Sequence, residues 1–296
     1  MLSTIFAVFV LVVLGGIVRL TESGLGCPDW PLCHDQIVPP FDMHVLIEYT
    51  HRLVAGVSLI LVFSMVLIAL RYYRQRLWIV VPALIAFILM IVQAVLGGIT
   101  VLTELAAEIV VAHFALAQVI LATMVLTFVA TSGHIEFRKT ISDRGLRIFL
   151  ITALIVSVFT YGLLLSGSYT TMSGASAACA GDWPHCLNAI WPSNKLSQIQ
   201  MFHRILSIVC GFMLLMVSIM AWDRRYEKSG IAGTGIGLIT LFLAQIFIGA
   251  SSIWMENSVT IKIMHLALAT IIWMGLISLV FLPFRSSKPG TGNATA

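Results

Sequence analysis

Charge is scarce in this chain. Asp, Glu, Lys and Arg together make up 10% of its 296 residues, where a soluble domain carries about 25%. Hydrophobic residues reach 59%, against roughly 45–50% in soluble proteins. The shortage of charge excludes an ordinary soluble domain. No low-complexity stretch is present either. The net charge of +4 does not point to nucleic acid, because the basic residues cluster only between apolar runs.

Those runs are long. A membrane span needs about 20 apolar residues. Eight candidates lie at about 4–20, 50–70, 78–101, 109–130, 147–168, 204–222, 233–254 and 262–284. The first stands where a signal peptide would, but it lacks a basic leader and has a counterpart at 147–168. The expected fold class is therefore an all-α integral membrane protein with eight transmembrane helices. Arg71, Arg74 and Arg76 follow the second run, Arg138, Lys139, Arg144 and Arg147 the fourth, and Arg224, Arg225 and Lys228 the sixth. Arg285 and Lys288 follow the eighth. The other loops hold only Arg19, Lys195 and Lys262, among eight acidic residues. The positive-inside rule then places both termini in the cytoplasm and the odd loops outside.

The chain repeats itself. His51 and His113 recur as His203 and His265, each displaced by 152 residues (203 − 51 and 265 − 113). Gln93 and Gly97 answer to Gln245 and Gly249, Arg52 to Arg204, and Cys27 to Cys179. We expect two pseudo-symmetric four-helix bundles: residues 1–135, a cytoplasmic linker at 136–146, a second half at 147–285 and a disordered polar tail at 286–296. Four crossings return the chain to its starting side, so the halves run parallel about an axis along the membrane normal.

Histidines inside apolar helices are costly and usually have partners. Each half has two, on different helices and at similar depth near the outer surface. Two neutral imidazoles supply both axial positions of a haem iron. Zinc wants three or four protein ligands, and neither half offers them. Arg52 and Arg204 are candidates for pairing haem propionates. The alternative is that the histidines only bridge helices by hydrogen bonds. For Gln93, Gly97, Gln245 and Gly249, packing is the favoured role.

Four of the five cysteines lie in two long outer loops. Cys27 and Cys33 sit in Cys-Pro-Asp-Trp-Pro-Leu-Cys, and Cys179 and Cys186 in Cys-Ala-Gly-Asp-Trp-Pro-His-Cys. An oxidising face favours one disulfide per half, Cys27–Cys33 and Cys179–Cys186. Redox-active thiols, or a metal site using the adjacent His34 and His185, are the alternatives. Cys210 reads as a buried apolar residue.

The repeat breaks at one position: Glu48-Tyr49-Thr50-His51-Arg52 stands against Gln200-Met201-Phe202-His203-Arg204. Glu48 lies three residues before His51, on the same helix face. It is either a group for proton transfer or charge stabilisation, or a solvated residue at a helix start.

Glu48 to Arg52, the segment Thr21-Glu22-Ser23-Gly24 with its cysteine motif, and the second histidine pair together resemble the haem A synthase family over nearly the whole chain. The resemblance implies an oxidoreductase in a bacterial cytoplasmic membrane. It would oxidise the C8 methyl of haem O to a formyl group by successive hydroxylations, for cytochrome oxidase assembly. It implies that His51 and His113 bind substrate haem O, that Glu48 is catalytic, and that His203 and His265 ligate the iron of a cofactor haem b. Haem O synthase is the implied donor of substrate. The rival readings are a di-haem b cytochrome that only transfers electrons, and a thiol-disulfide oxidoreductase.

Overall fold

The structure is a computed structural model, and it describes residues 1–135, 137–225, 229–255 and 258–286. Eight helices are long and apolar enough to cross a membrane. They are α1 (Leu2–Leu20), α2 (Met43–Tyr72), α3 (Leu77–Leu102), α4 (Ala107–Thr131), α6 (Arg144–Met172), α7 (Lys195–Asp223), α8 (Ser229–Trp254) and α9 (Val259–Phe281). A short helix, α5 (Phe137–Ser142), precedes α6.

Two helices begin earlier than hydropathy alone suggests. α2 starts at Met43 rather than near 50, and α7 at Lys195 rather than near 204. His44 and Glu48 in the start of α2, and Lys195, Ser197, Gln198 and Gln200 in the start of α7, take these segments out of a hydropathy window, but both starts are well capped. Asp42 accepts the backbone N–H groups of His44 (2.9 Å) and Val45 (3.3 Å). Asn194 does the same for Leu196 (2.8 Å) and Ser197 (3.4 Å). A cap of this kind satisfies N–H groups that the helix cannot satisfy itself, and contributes about 1 kcal/mol. The outer loops are correspondingly shorter. His51 and His203 thus lie roughly 12 Å inside their helices, at 1.5 Å per residue, not at the helix starts.

Each set of four spanning helices closes into a ring. α1 packs on α2 and α4, and α3 packs on α2 and α4. α6 and α8 likewise each pack on α7 and α9. The histidine-bearing helices, α2 with α4 and α7 with α9, therefore stand on the diagonals. Separate cores fill the two rings: Val62, Ile79, Ile120, Leu121 and Met124 in the first, and Phe149, Leu214, Ile231, Leu238 and Leu276 in the second. Large apolar side chains such as Leu53, Val57, Ile60, Phe212 and Phe247 point outward and are exposed. That arrangement suits lipid as the solvent and leaves backbone polar groups satisfied within helices.

The rings meet through α1, α4, α6 and α9. Val125, Val129, Leu164, Trp273 and Ile277 form a third cluster there. Two side chains stitch it to backbone: Trp273 Nε1 donates to Gln118 O (2.9 Å) and Tyr161 Oη donates to Ala115 O (3.0 Å).

The connection expected at 136–146 includes α5 and the first turn of α6, which Asp143 caps through Leu146 N (2.7 Å). His134 and Ile135 pair antiparallel with Ser286 and Arg285. Ser286, expected in a disordered tail, is thus held in a short ladder. The rest of that tail, 287–296, lies outside the described residues.

Candidate haem-binding sites

His51 on α2 and His113 on α4 stand on one diagonal of the first ring, as His203 on α7 and His265 on α9 do in the second. Each one lies edge-on against a glycine of a neighbouring helix. A Cβ at Gly15 of α1 would stand 3.2 Å from His51 Cε1, and one at Gly97 of α3 would stand 3.2 Å from His113 Cε1. In the second ring the distances are 3.0 Å from Gly167 to His203 Cε1 and 2.8 Å from Gly249 to His265 Cε1. Side chains are absent where the rings need room, so each imidazole edge is seated against backbone. Gln93 and Gln245 serve the same helices by donating to the backbone carbonyls of His113 (3.0 Å) and His265 (2.9 Å). The packing role expected for these residues has a specific object, the histidine helices.

Among the described residues, Nδ1 of His51, His113 and His265 is buried and meets no hydrogen-bond partner. Nδ1 of His203 differs: it lies 2.8 Å from Ser166 Oγ. Among the described residues no group of three or more His, Cys, Asp or Glu is placed to hold a metal ion. A facing pair of imidazoles fits a porphyrin iron, whose other four positions come from the macrocycle.

Glu48 is 4% exposed, so it is not a solvated residue at a helix start; Asp42 caps that helix. Its Oε2 accepts Cys27 N–H (2.8 Å) and its Oε1 accepts Arg52 Nη2 (2.6 Å). Arg52 Nη1 also donates to the carbonyls of Asp29 (2.7 Å) and Leu32 (2.5 Å), and Nη2 to Cys27 O (2.9 Å). In this arrangement both terminal nitrogens of Arg52 hold the cysteine loop against α2. The reason is that a tight loop leaves several carbonyls pointing inward, and a guanidinium supplies a fan of donors.

The second half uses the same scheme without the carboxylate. Gln200 Oε1 accepts Cys179 N–H (3.1 Å) and its Nε2 donates to Ser176 O (3.0 Å). Arg204 Nη1 donates to the carbonyls of Pro184 (3.2 Å) and His185 (2.6 Å). Among the described residues, however, Arg204 Nε and Nη2 are buried without a hydrogen-bond partner. Replacing the carboxylate by an amide leaves this guanidinium with donors in hand.

Disulfides join Cys27 to Cys33 and Cys179 to Cys186, each with Cα atoms 4.7 Å apart. Cys210 is a free, buried thiol. The loops converge on one geometry despite unequal length. Trp30–Pro31 and Trp183–Pro184 are both cis, and Cys33 bridges Gln36 as Cys186 bridges Ala189. The extra residue of the second loop is taken up at Ala180 (φ 47°) and Gly181 (φ 87°), in the left-handed region that glycine adopts most readily. His34 Nε2 bonds Gly26 O (2.9 Å), and that loop presents no metal cluster. The backbone N–H groups of Asp35 and His34 hold the Asp29 carboxyl below its usual range.

Gly15, Gly167 and Ser166 escaped the sequence reading. The two glycines are themselves related by the 152-residue displacement (167 − 15), which was the available signal. Ser166 was visible only as a break in the repeat, opposite Leu14.

The fold defines a multi-pass helical membrane protein with one histidine on each of two diagonal helices in each half. A family model described as Cytochrome oxidase assembly protein (COX15-CtaA) matches residues 1–277, and the chain belongs to that family. It is 31% identical over 290 residues to a protein of Exiguobacterium sibiricum, covering 96% of this chain and 94% of that one. It is 29% identical to one of another Exiguobacterium strain, covering 95% and 91%. For a protein of Alkalihalophilus pseudofirmus the identity is 28%, covering 96% and 97%. All three relatives are named heme A synthase.

Proposed function

We propose that this chain is a haem A synthase that oxidises the C8 methyl of haem O to a formyl group. The observation that carries the assignment of roles is the pairing of two equivalent bis-histidine seats with one inequivalent neighbour, Glu48 against Gln200. Family membership and the relatives' shared name support the overall activity. In this reading His51 and His113 hold the iron of substrate haem O, and His203 and His265 hold haem b.

Each of two successive hydroxylations would replace a C–H of one methyl by C–OH and pass two electrons from the carbon to an acceptor outside this chain; the geminal diol then loses water to leave the aldehyde. Haem b, when bound, supplies one-electron redox chemistry. The protein's share is orientation and electrostatics. The four glycines seat the imidazole edges, and each histidine pair, set on a ring diagonal, would hold a haem through its iron. Glu48 sits one turn before His51 on the same helix face, where a carboxylate can accept a proton or stabilise positive charge developing at the methyl. Its bonds to Cys27 N and Arg52 fix its position. Gln200 can do neither, which suits a half that only keeps a cofactor. Arg204, with two buried donors unpaired, is the better placed of the two arginines to meet a propionate.

The positive-inside pattern supports cytoplasmic termini and cysteine loops on the outer face. Haem O synthase is the proposed source of substrate. The test is chromatography of the extracted haems after expression with and without a haem O source. A synthase yields haem b together with haem O or haem A. A di-haem cytochrome that only carries electrons yields haem b alone, and that result would overturn the proposal.

A further inference from the structure

We propose that Ser166 is a positioning residue for His203, and that its hydroxyl makes the second-half seat retentive while the first half, with leucine in that place, remains exchangeable. The inference rests on the reading that the second half keeps a resident haem.

The geometry is specific. Ser166 Oγ donates to Leu163 O at 2.8 Å within α6. With Nε2 as the iron ligand, His203 carries its proton on Nδ1 and donates it to Ser166 Oγ, 2.8 Å away, while the Ser166 proton serves Leu163 O. The next residue, Gly167, is the one against which the edge of the same imidazole packs. One turn of α6 therefore fixes the tilt of the ring and supports that tautomer. Metal-ligating histidines are commonly held in this way, and a hydrogen bond at Nδ1 makes the imidazole a stronger donor to the metal.

No other member of the set has this support. Among the described residues, Nδ1 of His51, of His113 and of His265 has no protein partner. The position equivalent to Ser166 in the first half is Leu14 (166 − 152), which offers no polar atom. Glu48 and Ser166 are thus two departures from the repeat with complementary sense. The half with the reactive carboxylate lacks the hydroxyl, and the half with the hydroxyl lacks the carboxylate. A site that must take up a substrate haem and release a product haem benefits from an unbraced ligand. A site that keeps its haem benefits from a braced one.

The experiment compares wild-type protein with Ser166→Ala and Ser166→Thr, purified whole in detergent with haem b bound. The readouts are the midpoint potential of haem b, its low-spin electron paramagnetic resonance signal, and the rate of haem loss to excess apomyoglobin. In Ser166→Ala the potential should rise, because the weaker donor stabilises ferric iron less. The resonance should shift, and haem loss should accelerate by about 10–100-fold. Ser166→Thr keeps the hydroxyl and should restore all three. Complete haem loss in the alanine variant with retention in the threonine variant gives the same support. Alanine protein indistinguishable from wild type would overturn the proposal, as would equal loss in both variants, since the hydroxyl would then not be what matters. Wild-type protein with no low-spin haem b in its second half would instead remove the resident-haem reading itself.

Discussion

The two halves place the same parts at the same positions and differ in what those parts have left to give. In each, a loop closed by a disulfide is pinned to the N-terminal part of a histidine helix by a residue at the Glu48/Gln200 position and an arginine four residues later. In the first half the carboxylate takes the arginine, and the pair is internally neutral. In the second, the amide takes a loop carbonyl instead, and the arginine keeps two unpaired donors. One substitution thus converts a self-satisfied ion pair into a buried cation with unpaired donors. The lesson is that a repeat can keep a scaffold while the polar pairing inside it differs between the two copies.

The largest effect expected from breaking this comparison comes at the second-half ligands. His203→Ala or His265→Ala should abolish the low-spin haem b signal, because the iron loses an axial donor. Optical and resonance spectra of the purified variants check it, and an unchanged signal in both would refute the ligand assignment.

Next in size is Glu48→Gln, which makes the first half resemble the second. The amide oxygen can still accept Cys27 N–H, as Gln200 accepts Cys179 N–H, so the loop should stay docked. Haem b should remain, while conversion of haem O should fall by about 10²–10⁴-fold if Glu48 acts as an acid–base group. The ratio of haem A to haem O in membranes is the measurement, and a normal ratio would remove Glu48 from the mechanism.

The glycine seats sharpen the comparison further. A Cβ at Gly249 would sit 2.8 Å from His265 Cε1, against 3.2 Å for Gly97 and His113. Gly249→Ala should therefore displace its histidine more than Gly97→Ala does. We expect a clear loss of haem b content in the former and a smaller loss of haem O binding in the latter. Pigment content per protein would show the order, and the reverse order would contradict the packing argument.

The smallest effect should come from the disulfides. Replacing Cys27 and Cys33 by serine should cost on the order of 2–3 kcal/mol of loop ordering, seen as a lower melting temperature with haem still bound. Thiol labelling of unreduced wild-type protein should mark at most Cys210.

The class, the eight spans, the repeat and the four histidines are determined by the sequence alone. Each is a linear pattern, of apolar length or of fixed displacement, and lipid imposes the helical state on such runs whatever their neighbours. Glu48 also stood out, because a broken repeat is a linear signal. What Glu48 does locally was not legible. Reading it as a solvated helix start failed because the cap belongs to Asp42, and because Cys27, 21 residues away (48 − 27), folds back over it. The loop-holding role of Arg52 likewise depends on carbonyls of Asp29 and Leu32 that only the closed loop turns inward. The glycine edges, the Ser166 bond and the pairing of histidines across ring diagonals are contacts between helices. Rotation of one helix about its axis against another decides them, and tertiary packing sets that rotation.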